Sequence, residues 1–129
     1  MNAENLIPFL AEAEACFRSG DYEGAKGYLE KMPDIDRIEP EVIDLQLRLI
    51  PKTGEWEKAR RFSNIMEFVV HDQHRITAAK FRVEWAAYWM EKGKKNLAME
   101  QLQQASKLWP PIRQQIIDDP RLEGVFGAN

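Results

Sequence analysis

One outline is written three times in this chain. Gly, four residues, then Ala recurs as GDYEGA at 20–25, GEWEKA at 54–59 and GKKNLA at 93–98. Each copy falls between two stretches of helical periodicity, and the glycines stand 34 and 39 residues apart. Helix–turn–helix content with a period in this range marks stacked repeats, because a single helix pair cannot bury its apolar stripe without a neighbour. No polar–apolar alternation runs long enough to claim a strand. The expected class is therefore all-α.

The periodicity predicts seven helices. Leu6, Phe9, Leu10, Ala13, Cys16 and Phe17 mark one face of the first, near residues 4–18, and Gly20 stops it as a C-terminal glycine does. Tyr22, Ala25, Leu29 and Met32 trace a second, which Pro33 ends. Pro40 opens a third from its first turn, where a missing N–H costs nothing. Val42, Ile43, Leu45, Leu47, Leu49 and Ile50 continue it, and Pro51 is expected to close it. Trp56, Ala59, Phe62, Ile65, Met66 and Val69 mark a fourth, reaching about His71. A fifth is expected over about 74–92, a sixth over about 95–108 and a seventh over 112–117, ending near Asp118-Asp119-Pro120. The fifth carries two stripes, Ile76/Ala79/Val83/Ala86/Met90 and Phe81/Trp85/Tyr88/Trp89. A helix that is apolar on two sides packs on two sides, as one in the middle of a stack must.

Bulk properties narrow the function. At 129 residues the chain is the size of one domain and should bury roughly two-thirds of its unfolded surface. A net charge of −3 and a pI near 5.5 argue against general affinity for nucleic acid. The single cysteine, Cys16, has no internal disulfide partner, which fits a reducing compartment. The opening MNAENLIPFLAEAEA has no basic region of the kind a signal peptide carries, and no apolar run approaches the roughly 20 residues that span a bilayer. A cytoplasmic protein without a membrane segment is expected.

The repeat resembles the tetratricopeptide family, whose unit is two antiparallel helices with a small residue in the first, Gly-x-Tyr at the turn, then Ala, a bulky residue, Ala and Pro. The first unit (4–35) supplies Ala13, Gly20, Tyr22, Ala25, Leu29 and Met32. The second (39–72) supplies Gly54, Trp56, Ala59 and Met66, with Leu47 where a small residue is usual. The third (74–110) supplies Trp85, Ala86, Trp89, Gly93, Ala98, Leu102, Ala105 and Pro110. Five extra residues between the second and third glycines make the second unit long or irregular. The resemblance implies an α-α superhelix (solenoid) of about three helix pairs. The segment 111–126 would cap it, with Leu122, Val125 and Phe126 folded back on the last pair.

It also implies a concave groove lined by the first helix of each pair. Transferred through the glycines, the groove positions are Leu10, Glu14 and Phe17; Asp44, Leu45 and Arg48; and Lys80, Val83, Glu84, Ala87 and Met90. This mix of apolar anchors and both charge signs suits an amphipathic segment, with Arg48 and Lys80 the cations expected to meet an acidic partner. The family's clamp for chaperone C-termini is not expected. Leu10, Glu14, Leu45 and Glu84 stand where that clamp wants Lys, Asn, Asn and Arg, and Lys80 alone matches.

Signals for chemistry are sparse. No Ser-His-Asp arrangement, phosphate loop or CxxC is visible. His71 and His74 flank Asp72 at a spacing that can ligate a metal, but a closed zinc site needs four ligands, and the alternative is a polar helix junction. The expectation is a non-catalytic protein–protein interaction module, with no cofactor, that binds a peptide or helix of another protein. One alternative is a homodimer through repeat edges. The other is a metal-binding or catalytic role near His71 and His74.

Overall fold

Proline and glycine punctuate the chain, and helices form in the intervals. The structure is a computed structural model that describes residues 7–66 and 72–125. Its α-helices are α1 (Leu10–Arg18), α2 (Tyr22–Glu30), α3 (Pro40–Thr53), α4 (Ala59–Met66), α5 (Asp72–Glu91), α6 (Lys95–Leu108) and α7 (Ile112–Asp118). Short 3-10 turns occupy Asp34–Ile38, Trp56–Lys58 and Pro120–Leu122. No strand occurs among the described residues, so the all-α class holds. No described helix is long and apolar enough to cross a membrane. Val69, His71 and Phe126 lie outside the described residues.

The three repeated glycines all adopt positive φ: 86° at Gly20, 79° at Gly54 and 75° at Gly93. Only glycine does this without cost, and it lets the chain reverse within three or four residues. The turns are of two kinds. At Gly20 the next N–H, of Asp21, reaches the Cys16 carbonyl at 2.8 Å, while Gly20 itself donates to Phe17 at 3.1 Å. Gly93 repeats this pair, with Lys94 donating to Trp89 at 2.8 Å and Gly93 to Met90 at 3.0 Å. Both are Schellman motifs. Gly54 makes instead a single 2.8 Å bond to Ile50, the simpler left-handed cap. The turn at Gly54 is thus bonded differently from the other two.

Several element ends differ from the periodicity. Phe9 has φ 68°, so α1 cannot extend back through it to residue 4. Pro51 does not close α3, which runs on to Thr53. It sits in the last turn, where loss of one intrahelical bond is tolerated better than in the middle. The fourth helix begins as the 3-10 turn at Trp56 and becomes α-helical only at Ala59. The turn at Asp34–Ile38 has no counterpart in the expected pattern. Over the described residues α5 already stands 21 residues before its glycine at Asp72, where α3 begins 14 before its own.

The core is three clusters that share helices. Ala13, Ala25, Leu29 and Met32 meet Val42, Leu45 and Leu49 of α3. The other side of α3, through Ile43, Leu47 and Ile50, meets Ala59, Phe62 and then Ala78, Phe81 and Trp85 of α5. The opposite stripe of α5, Ala79, Val83 and Ala86, meets Ala98, Leu102 and Ala105, and beyond them Ile112, Ile116, Leu122 and Val125. The two stripes expected of the fifth helix therefore face two different clusters. Seven residues before each glycine stand Ala13, Leu47 and Ala86; five after it stand Ala25, Ala59 and Ala98. All six are fully buried. Trp56 stacks on Tyr88 at 4.9 Å, and Lys26 reaches Glu55 at 2.8 Å, so the second turn is tied to both of its neighbours.

Candidate functional site

Helices α1, α3 and α5 lie side by side, with contacts from α1 to α3 and from α3 to α5. An open groove of about 530 Å³ runs along them. Its floor and walls come from Phe17 at the end of α1, from Leu47, Arg48, Pro51 and Lys52 of α3, and from Ile76, Thr77, Lys80, Phe81, Val83 and Glu84 of α5. Gln115, Asp119 and Arg121 of the C-terminal segment close one side. An adjoining hollow of about 490 Å³ takes in Trp56, Ala87, Tyr88 and Met90. Pro51, Glu84 and Arg121 border both spaces, and so stand between them.

Two arginines organise the charges. Arg48 donates through Nη1 and Nη2 to both Glu14 oxygens, at 3.1 and 2.8 Å, and through Nε to Asp44 Oδ1 at 2.7 Å. Its guanidinium also lies 5.3 Å from the Phe17 ring centre. Burial alone would lower the Arg48 pKa, but the hydrogen bonds with Glu14 and Asp44 together raise it. The second Asp44 oxygen lies 2.7 Å from His74 Nδ1. A carboxylate only accepts, so that nitrogen carries the hydrogen. The series Glu14–Arg48–Asp44–His74 thus joins α1, α3 and α5 by polar contacts.

The second hub is Arg121. Its Nη1 and Nη2 donate to the two Glu84 oxygens at 2.7 and 2.8 Å. Nη2 and Nε also donate to Asp119 at 2.7 and 3.0 Å. Asp119 accepts the Arg121 backbone N–H as well, at 2.9 Å. These bonds hold the Asp119 carboxyl below its usual range and raise Arg121 further. Bidentate guanidinium–carboxylate geometry fixes both position and orientation, so the C-terminal turn is fastened to α5.

The groove's remaining cations are Lys52 and Lys80. Both are exposed, and neither has an ion pair among the described residues. Glu84 and Asp119, the carboxylates on the groove wall, already face Arg121.

The expected groove residues divide into three groups. Phe17, Arg48, Lys80, Val83 and Glu84 line the main groove, while Ala87 and Met90 line the hollow beside it. Leu10 is half-buried against the first cluster, and Glu14 stands behind Arg48. Asp44 is enclosed between Arg48 and His74, and Leu45 is wholly inside the first cluster. Leu45 is therefore a core residue, because that turn of α3 directs it between α1 and α2. Arg48 also differs from expectation, since its donors are committed within the fold. Lys52 and Ile76 escape the transfer of positions, although each lies one helical turn from an expected residue, four residues from Arg48 and Lys80. Gln115, Asp119 and Arg121 reach the groove only through the placement of the C-terminal segment, which no local period encodes.

His74 is buried with Nδ1 engaged by Asp44, and among the described residues no group of three His, Cys, Asp or Glu side chains is set to hold a metal. No protein-family model, curated protein or solved structure matches this chain.

Proposed function

We propose that the chain is a non-catalytic protein-interaction module. In this reading it is a short solenoid of three tetratricopeptide-like helix pairs that holds a segment of another protein along α1, α3 and α5. The observation that carries it is the groove itself: an open, half-apolar channel bounded by helices that hydrogen bonds and packing hold in place. Preformed walls reduce the ordering cost of binding. The solenoid part is supported by three positive-φ glycines in register with six buried positions, and by clusters that share α3 and then α5. The proposed setting is the cytoplasm, which suits a chain with one free, partly exposed thiol.

A photo-crosslinking residue at Thr77, on the groove wall, tests this in the native host against the same residue at Gln103, on α6. Partner adducts from position 77 and none from 103 are expected. Equal adducts from both, or adducts from 103 alone, would sink the proposal.

A second reading, self-association, rests on Ile35 and Ile38, which are 74% and 62% exposed on the turn before α3. Sedimentation of a monomer at high micromolar concentration would remove it.

A further inference from the structure

The ion pairs in the groove leave two of its cations without a carboxylate among the described residues, and those two point to a chemistry. Of the four cations on its walls, Arg48 has Nε, Nη1 and Nη2 bonded to Glu14 and Asp44, and Arg121 has the same three nitrogens bonded to Glu84 and Asp119. Glu84 and Asp119 keep their side-chain oxygens on Arg121. Lys52, near the end of α3, and Lys80, on α5, are left facing the same space with no carboxylate of their own among the described residues. Counted with their partners, the four cations meet four carboxylates, but all four carboxylates are hydrogen-bonded to the two arginines while the two ammonium groups stay exposed. Ile76 and Pro51 line the same space as the lysines, and the Phe17 ring lies against Arg48.

We infer that the groove takes an internal acidic segment of a partner protein, with side-chain carboxylates meeting Lys52 and Lys80 and an apolar residue seated against Ile76 and Pro51. This rests on the reading of the groove as the partner site. Lysine suits such a segment because an ammonium on a flexible stem meets carboxylates at several angles, whereas the fixed fork of arginine is used here to lock the walls. No free C-terminus is required of the partner, since side-chain carboxylates satisfy both lysines. A basic segment fits poorly. It would meet two unpaired ammonium groups and would have to take Glu84 or Asp119 away from Arg121.

The test uses short fluorescein-labelled peptides with amidated C-termini, one alternating Glu with Leu and one alternating Lys with Leu, read by fluorescence polarisation. The Glu–Leu peptide should bind, and more weakly as salt screens the contacts. The pair Lys52→Glu and Lys80→Glu should weaken it about tenfold or more, as charge reversal at an electrostatically matched surface does. The pair Lys94→Glu and Lys95→Glu, at the third turn, should leave it unchanged. Circular dichroism should not change in either variant, because none of the four lysines has an ion pair among the described residues. No binding of the Glu–Leu peptide, equal binding of the Lys–Leu peptide, or no loss on reversing Lys52 and Lys80 would each overturn the inference. A photo-crosslinker at Thr77 separates this failure from that of the groove. Adducts at Thr77 without lysine dependence keep the groove and reject the acidic segment. Bound peptide that cross-links only from Gln103 rejects the groove.

Discussion

Arg48 shows how a residue's role depends on partners far away in the chain. The resemblance to tetratricopeptide repeats implies a groove cation at this position. In the fold it is held by Glu14, 34 positions earlier, and by Asp44, one turn earlier on its own helix. Its removal would leave two carboxylates facing each other, one of them buried. Breaking a buried pair costs about 3–5 kcal/mol, but the Arg48 side chain is 32% exposed, so solvent screening reduces this. Arg48→Ala should cost about 2 kcal/mol in urea unfolding, and Lys80→Ala less than about 0.5 kcal/mol, as for an exposed residue without such ties. Equal losses would mean that Arg48 is not a structural hub. The glycines are legible at this scale because positive φ is a local demand. The arginine commitments are not, because an ion pair across helices leaves no period in a sequence.

At the scale of elements, period and punctuation mark every described α-helix, and the ends are harder to read. Pro51 looks like a stop in the sequence, yet α3 absorbs it in the last turn. The two stripes on α5 are legible because each repeats at helical spacing, and they meet separate clusters. The C-terminal segment is expected to cover the last pair, and Ile112, Ile116, Leu122 and Val125 do join that cluster. Its second role, carrying Asp119 and Arg121 into the groove, has no signal in the sequence. That role should fail in acid. The folded Asp119 carboxyl is held below its ordinary value, so its stabilisation is complete above the usual Asp value of about 4 and fades as pH falls through the folded value. Thermal midpoints of wild type and Asp119→Asn should therefore differ at neutral pH and converge below about pH 4. A gap that stays constant down to the lowest pH would show that the carboxylate contributes nothing through its charge.

Across the whole molecule, three clusters in series replace one central core, and α3 and α5 belong to two clusters each. Such an arrangement leaves α1, α3 and α5 side by side along one surface, and that surface holds the groove. Its approximate position is legible from the repeat, since five of the expected residues line it and two line the hollow beside it. Its charge is not legible, because the sequence records how many cations there are and not which of them are already paired. The binding face proposed here is therefore the row α1, α3, α5. Backbone amide shifts, followed by NMR as the amidated Glu–Leu peptide is added, decide whether that row is the one a partner touches. The largest changes should fall on Phe17, Lys52, Ile76, Thr77 and Lys80, with α6 and α7 nearly still. Changes centred on α6 or α7, with those five amides unmoved, would contradict the proposal.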